Sequence, residues 1–423
     1  MTHRVGRRRF VAIMIGALGT LSAACSPAPA AAPTAAPKAD AKPTEAPKPA
    51  APAASPAASP AAAASPAAAA SPAASPAASP AASPSPAAKP AAAAQAAPAS
   101  KPTQTSEVAT QLGWLRNGEF APVMVADAKG YFADEGIKHR ILDGGPGKNP
   151  VPIVGAGQAD FGITAGGNSV FQARLAPDPI DVWAIGTLLQ IGPYSYITLK
   201  NPGDPEPMPK DIEGKTFGMQ ADGDFFLQAF AKKNNVDLTK VKVETVQANA
   251  EPLLVGKVDF FTGWITNQTY QIDLEIAKPD APPNLKGKVW KAMRYADHAV
   301  PSYSDVIFAT GKTIKEKPDL VKGYVRAVAR GMQFILDNPE ASVQAVASYP
   351  EQVEDAAKLT WRWKIQNELF VSQDTKNNGL LWMNPGVWDQ VIMFYHEYNQ
   401  IPKTIPALEM MTNDFIPGPG LKV

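Results

Sequence analysis

The sequence predicts an α/β protein of two lobes, carried behind a disordered tether. Three observations lead there. From Val108 to Thr310, strand-like and helix-like runs alternate with short glycine-rich junctions, the pattern of a sheet with helices on both faces. The alternation pauses near residue 200 and restarts at Lys215. Residues 105–423 have ordinary globular composition and outrun what one compact core usually holds.

Residues 1–25 read as a lipoprotein signal peptide. Arg4, Arg7, Arg8 and Arg9 lead into Phe10 and an apolar run from Val11 to Ala24. The run is short for a membrane-spanning helix and suits the apolar centre of an export signal. Leu21-Ser22-Ala23-Ala24-Cys25 places small residues before the one cysteine of the chain. This resembles a bacterial lipobox, in which Cys25 is acylated and becomes the first mature residue. Ser22 stands where the usual Leu would be, with Leu21 one place earlier. The alternative is cleavage at an Ala-x-Ala-like site and release of a soluble protein. Arg7-Arg8-Arg9-Phe10 fits either a twin-arginine export signal or a plain basic start. Several acyl chains hold a protein at a membrane where one is marginal.

Residues 26–104 repeat Ser-Pro-Ala-Ala in near tandem, with 19 of the 43 prolines and no glycine. Apart from alanine and proline the segment has almost no apolar side chains, so no core forms. Proline interrupts any alanine helix and biases the chain to polyproline II, which at roughly 3.1 Å per residue reaches up to about 200 Å.

The globular elements follow in order. Leu112-Gly113-Trp114-Leu115 is a short strand candidate. Pro122 opens a helix that runs to Tyr131-Phe132, with proline at an early helical position. Gly136 to Leu142 is a strand, 151–154 a helix, 159–163 a strand and 168–175 a helix. Strands are expected at 180–185 and 196–199. The second round gives a strand at 215–219, a helix at 224–233, a strand at 241–246, a short helix at 253–255 and a strand at 258–264. Ser304 to Thr310 is one more strand, and the last hundred residues are mostly helical.

Charge and cysteine count exclude several functions. The net charge of +1 conceals +4 on the leader and +3 on the tether, which leaves −6 on residues 105–423. An acidic body lacks the basic face of a nucleic-acid partner. With Cys25 in the leader, the body holds no disulfide, thiolate metal site or cysteine nucleophile. His139, His298 and His396 share no helical spacing, so a histidine metal site has no local support.

Four blocks then point to a family. Trp114 and Asn117, with Ala126-Asp127-Ala128-Lys129-Gly130-Tyr131-Phe132 and Glu135-Gly136, resemble the opening of the SsuA/THI5 (NMT1-like) family. Residues 155–162, 209–218 and 256–259 resemble its second, third and fourth blocks, in order and spacing. The resemblance implies the type II periplasmic-binding fold, two α/β lobes joined by two crossing strands near 197–200 and 304–308. It implies lobe 1 from 105–199 and 304–423, with the C-terminal helices, and lobe 2 from 200–303. It also implies a monomeric, cofactor-free, extracytoplasmic binding protein of an ABC importer, delivering to a membrane permease with a cytoplasmic ATPase, a role that the leader with Cys25 and the tether independently fit.

Ligands in open α/β sheets sit beyond the C-terminal ends of the strands. The candidates there are Trp114, Asn117, Glu119 and Phe120; Gly144 and Gly145; Ala165 to Asn168; Tyr194 and Tyr196; Asp222, Gly223, Asp224 and Phe225; Trp264 and Asn267; and Tyr303. Each has a structural alternative. Trp114 could end a strand in the core, Asn117 and Glu119 could cap the helix at Pro122, and Asp222 to Asp224 could cap the next helix. Trp361, Trp363, Trp382 and Trp388 read as core. Arg116 and Lys148 are the nearest cations. Aromatics, amides and carboxylates suit a flat neutral heterocycle better than a sulfonate, nitrate or phosphate.

One branch of the family binds thiamine pyrimidine precursors and opens Trp-x-x-Asn-x-x-His. Here Trp114, Asn117 and Phe120 occupy those positions, an aromatic in place of the histidine. The exchange favours a larger flat ligand and the riboflavin-binding branch, with thiamine pyrimidines and then sulfonates as alternatives. Eukaryotic relatives make the thiamine pyrimidine with an internal lysine and histidine and a cysteine-rich iron motif. The missing histidine and cysteines argue for a binding protein rather than an enzyme.

Overall fold

The computed structural model describes residues 105–421 apart from Asp222. The expected signal peptide with Cys25, the expected tether, and Asp222 lie outside the described residues. The chain runs β1 (Ser106–Leu112), a 3-10 turn at Gly118–Phe120, α1 (Ala121–Ala128), α2 (Tyr131–Asp134), β2 (Ile137–Leu142), α3 (Pro150–Gly155), β3 (Phe161–Gly166), α4 (Asn168–Leu175) and β4 (Val182–Leu189). It continues with β5 (Tyr194–Lys200), β6 (Thr216–Met219), α5 (Asp224–Asn234), β7 (Lys242–Thr245), α6 (Glu251–Leu254), β8 (Phe260–Trp264), α7 (Gln268–Ile276), β9 (Val289–Arg294) and α8 (Tyr295–His298). Then come β10 (Ser304–Thr310), α9 (Gly311–Glu316), α10 (Pro318–Asp337), α11 (Pro339–Ala347), α12 (Ala356–Leu369), α13 (Gln373–Asn378) and α14 (Pro385–Glu397).

The strands form two five-stranded sheets, ordered β2-β1-β3-β10-β4 and β7-β6-β8-β5-β9. β1 pairs parallel to β2 and β3, while β10 runs antiparallel between β3 and β4. The second sheet repeats the plan, with β5 antiparallel between β8 and β9. Each sheet therefore has one reversed strand among parallel neighbours, the strand that arrives from the other lobe. β2 shows why one-sided burial reads well from sequence: Ile137 and Ile141 are buried, and Lys138 and Arg140 between them are exposed. The open edge of β4 is covered by the C-terminal segment, where Ala184 N donates to Met410 O at 2.9 Å and Thr412 N to Ala184 O at 2.9 Å.

The first strand differs from expectation. It occupies 106–112, and Trp114 lies in the bend after it. Thr110 and Gln111 hid the signal because they are buried polar residues with partners inside. Thr110 Oγ1 meets Tyr324 Oη at 2.8 Å, and Gln111 Nε2 donates to Leu112 O at 3.0 Å. The helix from Pro122 divides at Gly130, whose φ of 75° is left-handed. β9 and α7 had no sequence signal; β9 is a half-exposed edge strand.

The chain changes sheets at 190–193 and again at 299–303. The expected first crossing at 197–200 falls inside β5, which already pairs within the second sheet, and the expected second at 304–308 falls inside β10 of the first. The two connecting segments touch, with Gly192 N donating to Ser302 O at 2.8 Å.

Candidate functional site

A cavity of about 340 Å³ opens between the sheets, beside the two connecting segments. The end of β3 and first turn of α4 bring 165–168, and the end of β6 brings Gln220 and Gly223. β8 contributes its last residue, Trp264. The connections bring Pro193 and Tyr194 on one side and Ser302, Tyr303 and Ser304 on the other. Helix α14 closes the cavity with Trp388, Val391, Phe394 and Tyr395. These are the C-terminal ends of β3, β6 and β8, the edge where α/β sheets hold ligands.

Aromatic rings make up much of the wall. Tyr194 and Phe226 have centroids 5.6 Å apart, and Phe226 meets Tyr295 edge-on at 5.3 Å. Phe394 and Tyr395 pack edge-on at 5.5 Å. Gly167 is required where Trp388 crosses it, because a Cβ there would stand 2.5 Å from the indole. The polar contribution is neutral and comes from Asn168, Gln220, Ser302 and Ser304, together with the hydroxyls and indole N–H groups of the wall's aromatic residues. Ser304 Oγ donates to Ala165 O at 2.6 Å, and Asn168 Nδ2 to Gln172 Oε1 at 3.2 Å. Tyr303 accepts from Asn384 N at 2.7 Å, and burial pushes its hydroxyl up to about 12. Burial raises the Tyr295 hydroxyl further, so both phenols stay neutral at physiological pH. The Trp388 indole N–H and the Tyr295 hydroxyl are buried without a hydrogen-bond partner. Among the described residues, no Asp, Glu, Lys, Arg or His lines the cavity.

Of the expected site residues, the cavity brings together Asn168, Tyr194 and Trp264, with Ala165 to Gly167, Gly223 and Tyr303 from the wider candidate set. The other described ones lie elsewhere. Trp114 is exposed on its bend. Asn117 Oδ1 accepts from Glu119 N at 2.9 Å, the cap that was the structural alternative. Phe120 is buried in the core of the first lobe. Gly144 packs against Leu112 O and Trp114 N. Tyr196 is fully buried behind the wall, edge-on to Phe217 at 4.8 Å and Phe230 at 4.6 Å. Phe225 forms a second layer, 4.1 Å from Phe226. Asp224 is exposed and accepts from Gln228 Nε2 at 2.5 Å. Asn267 Oδ1 accepts from Lys358 Nζ at 3.1 Å. Trp388, expected as core, is both buried and part of the wall.

Glu119 belongs to a buried charged cluster. Glu354 Oε2 accepts from Gly118 N at 3.0 Å and from Arg362 Nε at 3.0 Å, and Arg362 Nη2 donates to Glu354 Oε1 at 2.5 Å. Burial pushes the Glu354 carboxyl up, but Arg362 and Lys358 outweigh it and hold it below the usual range. Beside this cluster Glu119 faces Asp305, a fully buried residue with φ of 54°. Both Asp305 oxygens are buried without a hydrogen-bond partner, an arrangement that favours the protonated carboxyl. Burial, and then the neighbouring Glu119, raise Asp305 well above the usual carboxylate range; burial raises Glu119 too.

A second recess of about 520 Å³ lies at the other edge of the first sheet. It is lined by Asp160, Asp181, Lys312, Glu316 and Lys317 and by no aromatic residue.

Two α/β lobes with one reversed strand in each sheet and a cavity at their junction define the periplasmic-binding-protein fold. Residues 117–342 match the NMT1/THI5 like model, and the chain belongs to that family. The 4-amino-5-hydroxymethyl-2-methylpyrimidine phosphate synthase of Legionella pneumophila is 26% identical over 316 residues, 74% of this chain and 93% of that protein. The riboflavin-binding protein RibY of Chloroflexus aurantiacus is 25% identical over 324 residues, 74% of this chain and 86% of that protein. The periplasmic aliphatic sulphonate binding protein SsuA of Escherichia coli superposes with a TM-score of 0.53 at 11% identity, covering 75% of this chain and 96% of that one. This last likeness is one of fold.

Sequence reasoning missed Phe226, Tyr295, Trp388, Phe394 and Tyr395. The helical residues among them sit on faces turned to the junction of two lobes, and apolar periodicity cannot separate such a face from one buried in a single core.

Proposed function

We propose that this chain is an extracytoplasmic substrate-binding lipoprotein that captures riboflavin and delivers it to the permease of an ABC importer. The observation that carries the ligand class is the wall of the cavity, aromatic on several sides and free of charged side chains among the described residues. A tricyclic ring stacks on Tyr, Trp and Phe faces. The amides of Asn168 and Gln220 and the hydroxyls of Ser302 and Ser304 suit the hydroxyl groups of a ribityl chain. The riboflavin-binding relative supports the same ligand. A sulfonate would call for a cation that this wall does not provide.

Capture works by closure. Ligand held by one lobe gains contacts from the other, which favours the closed form about the connections at 190–193 and 299–303. The permease then reads the closed lobes, and the acylated Cys25 with its tether keeps the module near it. A reading as a pyrimidine synthase draws on the Legionella relative. Against it, Phe120 stands where the pyrimidine-binding branch has histidine, and the body holds no cysteine.

Calorimetric titration of the purified chain with riboflavin and with 4-amino-5-hydroxymethyl-2-methylpyrimidine tests the ligand. Saturable binding of riboflavin alone is expected; binding of the pyrimidine alone would replace the reading. For the anchor, Cys25→Ser should move the protein from the membrane fraction to the soluble fraction, and unchanged membrane retention would refute acylation as the anchor.

A further inference from the structure

We propose that the cavity selects by charge: it takes an uncharged aromatic heterocycle and excludes the phosphate ester of the same compound. The inference rests on the binding-protein reading and names the selectivity of that same site. A phosphate monoester carries close to two negative charges at neutral pH. Burying it requires cations or a full set of donors. The polar side chains of the wall are all neutral: the amides of Asn168 and Gln220, the hydroxyls of Ser302 and Ser304, and the phenol and indole groups of the wall's tyrosines and tryptophans, with no cation in the wall among the described residues.

The basic side chains near these edges in sequence are committed elsewhere. Arg116 Nε donates to Asp143 Oδ1 at 2.8 Å, and Lys148 Nζ to Asp143 O at 3.2 Å. Arg294, next to Tyr295 of the wall, pairs with Asp297 at 2.6 Å. Lys358 pairs with Glu354 at 2.8 Å. The first turn of α4 reaches the wall at Asn168, but a helix start carries only a fraction of a charge. That suits a ring carbonyl and does not balance a dianion. The site therefore admits the free vitamin and turns away its intracellular, phosphorylated form.

The test compares two pairs of compounds on the purified full chain at pH 7.5: riboflavin with riboflavin 5′-phosphate, and 4-amino-5-hydroxymethyl-2-methylpyrimidine with its phosphate. Within whichever pair binds, the neutral member is expected to bind at least a hundredfold more tightly. The phosphorylated member should gain affinity as pH falls through about 6, where the ester loses one charge. Affinities within threefold of each other, or a preference for the ester, overturn the inference and leave the binding-protein reading standing. Selectivity seen only in the pyrimidine pair supports the inference and sinks riboflavin as the ligand. A chain that binds none of the four compounds overturns both.

Discussion

Trp264→Ala separates a ligand platform from a structural residue. Trp264 ends β8, lies opposite Tyr194 in the pairing of β5 with β8, and lines the cavity. Its backbone N–H is held by Gln268 Oε1 at 2.8 Å, an interaction that the substitution keeps. The residue is half-buried and belongs to none of the three buried apolar clusters. Stacking of a heterocycle on an aromatic side chain contributes about 1–3 kcal/mol by alanine substitution. The dissociation constant for riboflavin should therefore rise by about 5- to 150-fold. Unfolding free energy should change by less than about 1 kcal/mol, as for a residue outside the core. Calorimetry gives the first number and urea denaturation the second. An affinity within twofold of the parent, in a protein of unchanged stability, would remove Trp264 from the site.

The remaining predictions concern buried residues that do not line the cavity. Tyr196→Phe deletes a buried hydroxyl that has no partner, so riboflavin affinity should stay within twofold and stability should hold or rise by about 1 kcal/mol in urea denaturation. Arg362→Met leaves Glu354 buried with only Lys358 and Gly118 N for support; a loss of about 3–5 kcal/mol is expected, and a loss under 1 kcal/mol would show that the pair does not hold the 118–120 turn. Asp305 and Glu119 have raised pKa values, so the folded state holds more protons than the unfolded one above roughly pH 4. Their contribution is fully present below that pH and is lost as pH rises through the raised folded values. Asp305→Asn should make stability between pH 5 and pH 8 fall less steeply than in the parent, and equal slopes would refute a raised Asp305 carboxyl.

The fold was legible where one face of an element met water. The alternation of β2, the block at 155–162 and the proline at the start of α1 placed their elements within a few residues. It failed where polar residues were buried with partners, as in β1, and where an edge strand such as β9 is mostly half-exposed and shows no clean in–out alternation. The site was half legible. Glycines and aromatics after β3 and β8 marked 165–168 and Trp264, because strand ends are local features. Helix α14 lies more than a hundred residues further on, and its contribution of Trp388, Phe394 and Tyr395 depends on how the C-terminal segment returns across both lobes. Asn117 went instead to a cap and Glu119 to the buried cluster around Glu354, placements that short-range sequence could not separate from a ligand contact.

The most direct test of the account is a fluorescence titration of riboflavin with the purified, ligand-free chain. Stacking of the flavin between aromatic side chains should quench its emission, saturating at one flavin per chain. Absence of quenching, together with absence of any thermal shift, would contradict riboflavin as the ligand of this cavity.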